Sequence, residues 1–198
     1  VAMLNYGAAA QEFFGYRTDD LMNAGLTEAQ QALVADYDVA LFAGAIPADT
    51  SKTVNFAKTE TGFTKRSASV SFEGAFAINY YFTPSETVAG DMKLYVWNAE
   101  AYEAAEVLTA DNATVVAMEN RNGDYFAPIS GIAPKDLDKT YYVAGVYTDA
   151  EGNTHCTGVI AYSLSRYCMN NAKPGKDMQE LAANTAMYGY YAAAYFNK

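Results

Sequence analysis

Residues 64–82, TKRSASVSFEGAFAINYYF, decide the fold class. Ala68, Val70 and Phe72 alternate with Ser67, Ser69 and Ser71, so apolar side chains point one way and hydroxyls the other. Glu73-Gly74 interrupts the alternation as a turn. Phe76, Ile78, Tyr80 and Phe82 then resume it on a single face. A helix would repeat its apolar residues at three- and four-residue spacing. The stretch is therefore a β-hairpin with one buried side.

Further strands follow at short intervals. MKLYVW (92–97) reads as a third strand and Thr114–Met118 as a fourth. Asn122-Gly123, a strong short hairpin signal, turns the chain into a fifth strand at Tyr125–Ile129. Tyr141–Thr148 and Thr154–Ser163 form a last long hairpin across DAEGN (149–153). About seven strands spaced this way predict an antiparallel β-sandwich of immunoglobulin or fibronectin type.

Helical periodicity flanks the sandwich. Residues 1–15 predict a first helix that stops at Gly15. Thr27 and Gln30 form a capping box that opens a short helix through Val34. Residues 43–62 read as a connector with a turn at Ile46-Pro47. After Ser163 a short helix runs to Lys173-Pro174-Gly175. Asp177 and Glu180 then form a second capping box for a helix reaching Phe196. Leu181, Thr185, Tyr188, Ala192 and Tyr195 lie along one stripe of that helix. The expected division is a helical segment over 1–42, a sandwich over 43–163 and a second helical segment over 164–198.

An internal repeat links the two ends. MLNYGAAAQEFF (3–14) aligns without gaps on TAMYGYYAAAYF (185–196), pairing Tyr6 with Tyr188, Gly7 with Gly189, Ala10 with Ala192 and Phe14 with Phe196. Val1 opens directly into helical sequence without an initiator Met, a charged leader or an N-cap residue. The expectation is one period of a tandem array, with the first helix belonging to the end of a preceding unit.

Composition narrows the function. The 198 residues carry a formal net charge of −10, with 23 acidic and 13 basic side chains. That balance argues against nucleic acid and against anionic lipid, both of which need clustered Lys and Arg. No run of about 20 apolar residues exists to insert in a membrane. Tyrosine is abundant, at 17 copies, and only 18% of residues are charged. The polar surface thus relies on Ser, Thr, Asn and Tyr, a style of secreted bacterial β-rich modules.

Chemistry-bearing motifs are sparse. There is one histidine, His155, expected to lie exposed on the last hairpin. Cys156 is its neighbour, and adjacent strand residues point to opposite faces, which breaks a Cys–His pair. Thr157 to Ser163, if extended, spans about 23 Å. The following helix returns only about 6 Å by Cys168. Cys156 and Cys168 are then too far apart to bridge, and two free thiols are expected. Asp149, Glu151 and Asn153 alternate around Gly152 but lack the bidentate Glu of a calcium loop, so a plain turn is the better reading. No phosphate-binding loop, dinucleotide fingerprint or nucleophile elbow occurs. NAT (112–114) is a formal glycosylation sequon. Catalytic residues, metal ligands and cofactors are expected to be absent.

Aromatics remain as candidates. Tyr95 and Trp97 share one face of a strand, and Tyr102 follows in what reads as a loop. Exposed, they would stack on a sugar ring or anchor a protein partner; buried, they would be sandwich core. Tyr190 and Tyr191 stand where the first helix has Ala8 and Ala9, making the closing helix bulkier and suited to a different neighbour.

MLNYGAAAQEFFGY (3–16), TDDLMNAGLTEAQ (18–30) and residues 129–168, with Tyr162, Ser163 and Tyr167 in a Y-S-x-x-x-Y pattern, carry a resemblance. The chain resembles a repeat module of large secreted or wall-attached surface proteins of gut Firmicutes. Residues 35–128 share only its general style. The resemblance implies an extracellular or cell wall-attached, non-catalytic module of a multidomain protein, binding a host protein or acting as an adhesion or stalk repeat. Its implied partners are an immunoglobulin, a mucin-type glycoprotein or neighbouring repeat units. The rival expectation is a carbohydrate-binding module of a secreted glycan-active protein, built around Trp97.

Overall fold

The computed structural model describes residues 1–42, 52–56, 58, 59 and 61–196. Most of the expected connector, including the turn at Ile46-Pro47, lies outside the described residues. The chain forms two sheets with helices at both ends, a mainly-β sandwich.

The decisive hairpin is β2 (Phe63–Ser71) and β3 (Phe76–Pro84), paired antiparallel with Val70 opposite Ile78 and Ala68 opposite Tyr80. Gly74 takes a positive φ of 75° in its turn. Phe72, Phe76, Ile78, Tyr80 and Phe82 are buried as the alternation requires. On the edge strand β2 the same alternation is less covered: Val70 is half-buried and Ala68 is exposed. β7 (Asp124–Ile132) and β6 (Glu119–Arg121) complete this sheet in the order β2-β3-β7-β6.

The second sheet is centred on β8 (Tyr141–Thr148) and β4 (Lys93–Asn98). Beyond β4 lies β5 (Thr114–Ala117). On the other side of β8 lie β9 (Thr154–Cys156) and β10 (Ile160–Tyr162). β1 (Lys58–Thr59) adds to β9 in parallel, against an otherwise antiparallel arrangement.

One expected strand is divided, and a further short strand, β6, stands between the fourth and the Asn122-Gly123 turn. The fourth strand does not run through to the Asn-Gly turn. It ends at Ala117, and the chain changes sheets at the buried Met118 before β6. A residue that faces the space between the sheets allows that switch. The Asn122-Gly123 turn itself is present, with φ of 57° and 94°, as a primed hairpin turn requires. The return arm of the last hairpin splits into β9 and β10. Five residues from Cys156 to Ile160 oppose four from Val146 to Val143, a bulge. Buried Thr157 holds it, its Oγ1 accepting from the Gly145 N–H at 2.9 Å.

The Gly15 stop and the Thr27/Gln30 box act as read, whereas no hydrogen bond of the expected Asp177/Glu180 box is seen among the described residues. α1 spans Ala2–Phe14 and ends at Gly15 in the left-handed region. α2 (Glu28–Gln31) carries the full Thr27/Gln30 capping box and continues as a 3-10 turn to Val34. α3 (Ala99–Ala104) is a helix where a loop was expected. Asn98 caps it, accepting from the Ala101 N–H at 2.8 Å. α4 (Leu164–Asn171) is capped by Ser163, and α5 (Gln179–Phe196) ends where predicted. On α5, Leu181, Thr185 and Ala192 are buried, but Tyr195 at the end of the stripe is 71% exposed.

α1 and α5 pack on each other, and α1 and α4 meet the β2–β3 hairpin near its turn. The Tyr6 ring lies 5.3 Å from Phe76, and its hydroxyl donates to the Phe72 carbonyl. Phe72 also meets Tyr167 of α4 at 5.9 Å. A single buried cluster thus runs from Ala9 and Ala10 through Ile78, Phe82 and Leu94 to Cys168 and Leu181. Helical layer and sandwich share it. Among the described residues, no helix is long and apolar enough to cross a membrane.

Candidate functional site

The Trp97 region is core. Trp97 on β4 is fully buried, and its indole N–H donates to Asn112 Oδ1 at 2.7 Å. Tyr102 projects from α3, not from a loop, and is buried face to face on Tyr142 at 3.6 Å and 4°. Lys52 lies over its ring and donates to the carbonyls of Glu103 and Ala105, closing the C-terminus of α3. Tyr95 is half-buried beneath Phe56, at 4.3 Å. Trp97 and Tyr102 therefore cannot offer a stacking platform to a sugar. The missed signal for Tyr102 is Asn98, an N-cap residue directly ahead of AEAYEA.

Tyr190 and Tyr191 lie together on α5, half-buried, their rings perpendicular at 5.2 Å. Both face Tyr37, at 5.6 and 6.2 Å. The extra bulk of this helix thus covers the segment that follows α2. Burial pushes the Tyr37 hydroxyl well above the usual tyrosine range.

Exposed large apolar side chains are scattered, with Leu33, Leu41, Val107 and Val115 among them, but two aromatic pairs stand at helix ends. Phe13 and Phe14 close α1 as an edge-on pair at 5.0 Å and 90°, and Tyr195 and Phe196 close α5 at 5.0 Å and 87°. All four are exposed, Tyr195 and Phe196 at 71% and 66%. These pairs occupy equivalent positions of the repeated helix sequence. A cavity of about 540 Å³ adjoins α1, lined by Met3, Tyr6, Met22, Phe72 and Tyr188.

The outer face of the four-stranded sheet carries a pair that sequence reasoning passed over. Tyr81 on β3 is register partner to Phe126 on β7, their rings 5.2 Å apart and tilted by 43°. Both are half-buried. The Arg121 guanidinium lies over Phe126 at 3.7 Å and pairs with Glu119 at 2.8 Å. The signal was available, since Tyr81 falls on the polar side of the β3 alternation.

His155 is not exposed, as expected from its hairpin, but buried. Its Nε2 lies 2.7 Å from Asp149 Oδ2, and its ring stacks on Tyr147 at 4.9 Å. Asp149 is buried too and accepts from the backbone and side-chain amides of Asn153, at 2.8 and 3.0 Å. The hydrogen bond from His155, followed by those from Asn153, holds its carboxyl well below the usual carboxylate range. Cys156 and Cys168 are free and buried. Burial pushes the Cys156 thiol up to about 12 and Cys168 higher still, so neither is a nucleophile at neutral pH.

No family model and no curated protein matches the sequence. Among solved structures the chain is similar to the Br derivative of BhCBM56, with a TM-score of 0.36 and 14% identity over 54% of this chain and 97% of that one. It is also similar to wild-type OgpA from Akkermansia muciniphila, with a TM-score of 0.29 and 9% identity over 55% of this chain and 30% of that one.

Proposed function

We propose that the chain is a non-catalytic extracellular module of a multidomain bacterial surface protein, acting by protein–protein contact through its helical layer as an adhesion or stalk unit. One observation carries the reading. Phe13–Phe14 and Tyr195–Phe196 are exposed aromatic pairs of the same geometry at equivalent helix positions. Large aromatics left in water at the ends of packed helices are the residue type that anchors protein interfaces. The preferred partner is a unit of the same kind; a host immunoglobulin or mucin-type glycoprotein is the competing one.

The test compares the chain with the F13S/F14S/Y195S/F196S variant. Self-association is followed by sedimentation, and capture by immobilised immunoglobulin and mucin is followed in parallel. Self-association lost in the variant supports the stalk reading. Capture by one host protein, also lost in the variant, makes the module a host-protein binder. Absence of both defeats the proposal.

A second reading has its own observation. The Tyr81–Phe126 pair with Arg121 above it presents aromatic surface on an open sheet face, which suits a carbohydrate-binding module better than the buried Trp97. Binding of a glycan that disappears in Tyr81→Ala, with thermal stability kept, would establish it.

A further inference from the structure

We infer that Glu86, Asp149 and His155 form a binding site for a divalent transition-metal ion, of which Zn²⁺ is the natural probe. This goes beyond the docking role and does not depend on it. His155 Nε2 lies 2.7 Å from Asp149 Oδ2 and 3.7 Å from Glu86 Oε2, and the three ligand atoms lie within 4.8 Å of one another. Tetrahedral ligands at zinc distances sit about 3.4 Å apart. The His–Glu spacing is already close to that value, and the ion would replace the Nε2 hydrogen bond to Asp149, releasing its proton and opening that contact by about 0.7 Å.

Two of the ligands are held in place. Asn153 fixes both oxygens of Asp149 through its backbone and side-chain amides. The His155 ring stacks on Tyr147 at 18°, and Gly62 lies close against its Nδ1 side. Gly62 sits at φ +73°, and a Cβ there would lie 2.7 Å from Nδ1. The Tyr147 hydroxyl donates to the Gly62 carbonyl at 2.7 Å and locks that approach. Nδ1 lies 3.4 Å from Thr61 Oγ1, the outer partner that a histidine bound through Nε2 requires. Glu86, 48% exposed on the segment after β3, supplies the movable third arm.

The charges ask for a cation. Two carboxylates converge within 4.8 Å, and Glu151 lines the same cleft of about 760 Å³. No lysine or arginine lines it among the described residues. An imidazole in the ligand set selects transition metals over calcium or magnesium. The open side of the cleft leaves room for water or for a ligand donated by a partner. The ion would tie the segment joining the two sheets to the β8–β9 turn, which already meet where Val88 bridges Asp149.

The test titrates Zn²⁺ into the chelator-treated chain and follows its melting temperature and the imidazole resonances of its single histidine. One equivalent is expected to raise the melting temperature and shift the His155 signals. Glu86→Gln, altering a half-exposed side chain, should stay folded without the ion and weaken binding at least about 10-fold, since loss of a direct ligand exceeds loss of an outer partner. His155→Gln should abolish it. Co²⁺ should bind without a thiolate charge-transfer band, because both thiols are buried. No binding, equal affinity in Glu86→Gln, or a thiolate band would overturn the assignment.

Discussion

Tyr6 of α1 and Tyr188 of α5 stack on each other, with ring centroids 5.6 Å apart and planes 25° apart, and they are the same position in the two copies of the repeated helix sequence. The repeat therefore meets itself inside the molecule. Tyr6 is the more committed partner, reaching Phe76 and the Phe72 carbonyl, and burial pushes its hydroxyl up to about 12. A double-mutant cycle between Tyr6→Leu and Tyr188→Leu, read by urea unfolding, should return a coupling of about 0.5–1.5 kcal/mol. Additive effects would mean that the stacking is incidental to the helix packing.

Trp97→Ala should destabilise the chain by about 3–5 kcal/mol, the range for a large aromatic removed from a core. Asn112→Ala is the sharper probe. It leaves the indole N–H without its 2.7 Å acceptor and should cost about 1–3 kcal/mol. The midpoint of denaturation measures both. A Trp97→Ala loss below 1 kcal/mol would contradict the enclosed position of the ring.

Alkylation without reductant separates burial from bonding. The native chain should resist an alkylating agent at neutral pH, because Cys156 and Cys168 are both buried and their thiols are pushed up. The denatured chain should gain two additions by intact mass. No addition in denatured protein would mean a disulfide and a different path for the chain after β9.

Asp149 gives a pH dependence of definite sign. Its folded carboxyl titrates below the unfolded value, first because of His155 and then Asn153. The resulting stabilisation is complete above the unfolded carboxylate value of about 3.9 and is lost as pH falls through the folded value. Asp149→Asn should lower the melting temperature at neutral pH and flatten its decline below about pH 4. An identical acid slope in the variant would place the acid sensitivity elsewhere.

Much of the fold is legible because it depends on local periodicity. The serine alternation of β2, the Asn122-Gly123 turn and the Thr27/Gln30 box each contain their own physical cause within a few residues. The errors arise where a distant partner decides. Met118 reads as the end of a strand, but whether the chain stays in one sheet there depends on the gap between two sheets. Thr157 reads as mid-strand, yet the bulge it anchors is set by Gly145, twelve residues away.

The same division holds for the candidate sites. Tyr95 and Trp97 share a strand face in the sequence alone, but Trp97 is removed from solvent by packing of the sheets. Tyr81 and Phe126 are 45 positions apart, and only sheet register makes them neighbours. His155 looks exposed in its turn, and it is Tyr147, Gly62 and Glu86 that enclose it. Sequence by itself determined the sandwich, its helical flanks and the repeated helix, because hydrophobic period, caps and turns act over a few residues. Tertiary structure alone decided which aromatics are core and which acids meet the single histidine, because burial and convergence are set by residues far apart in the chain.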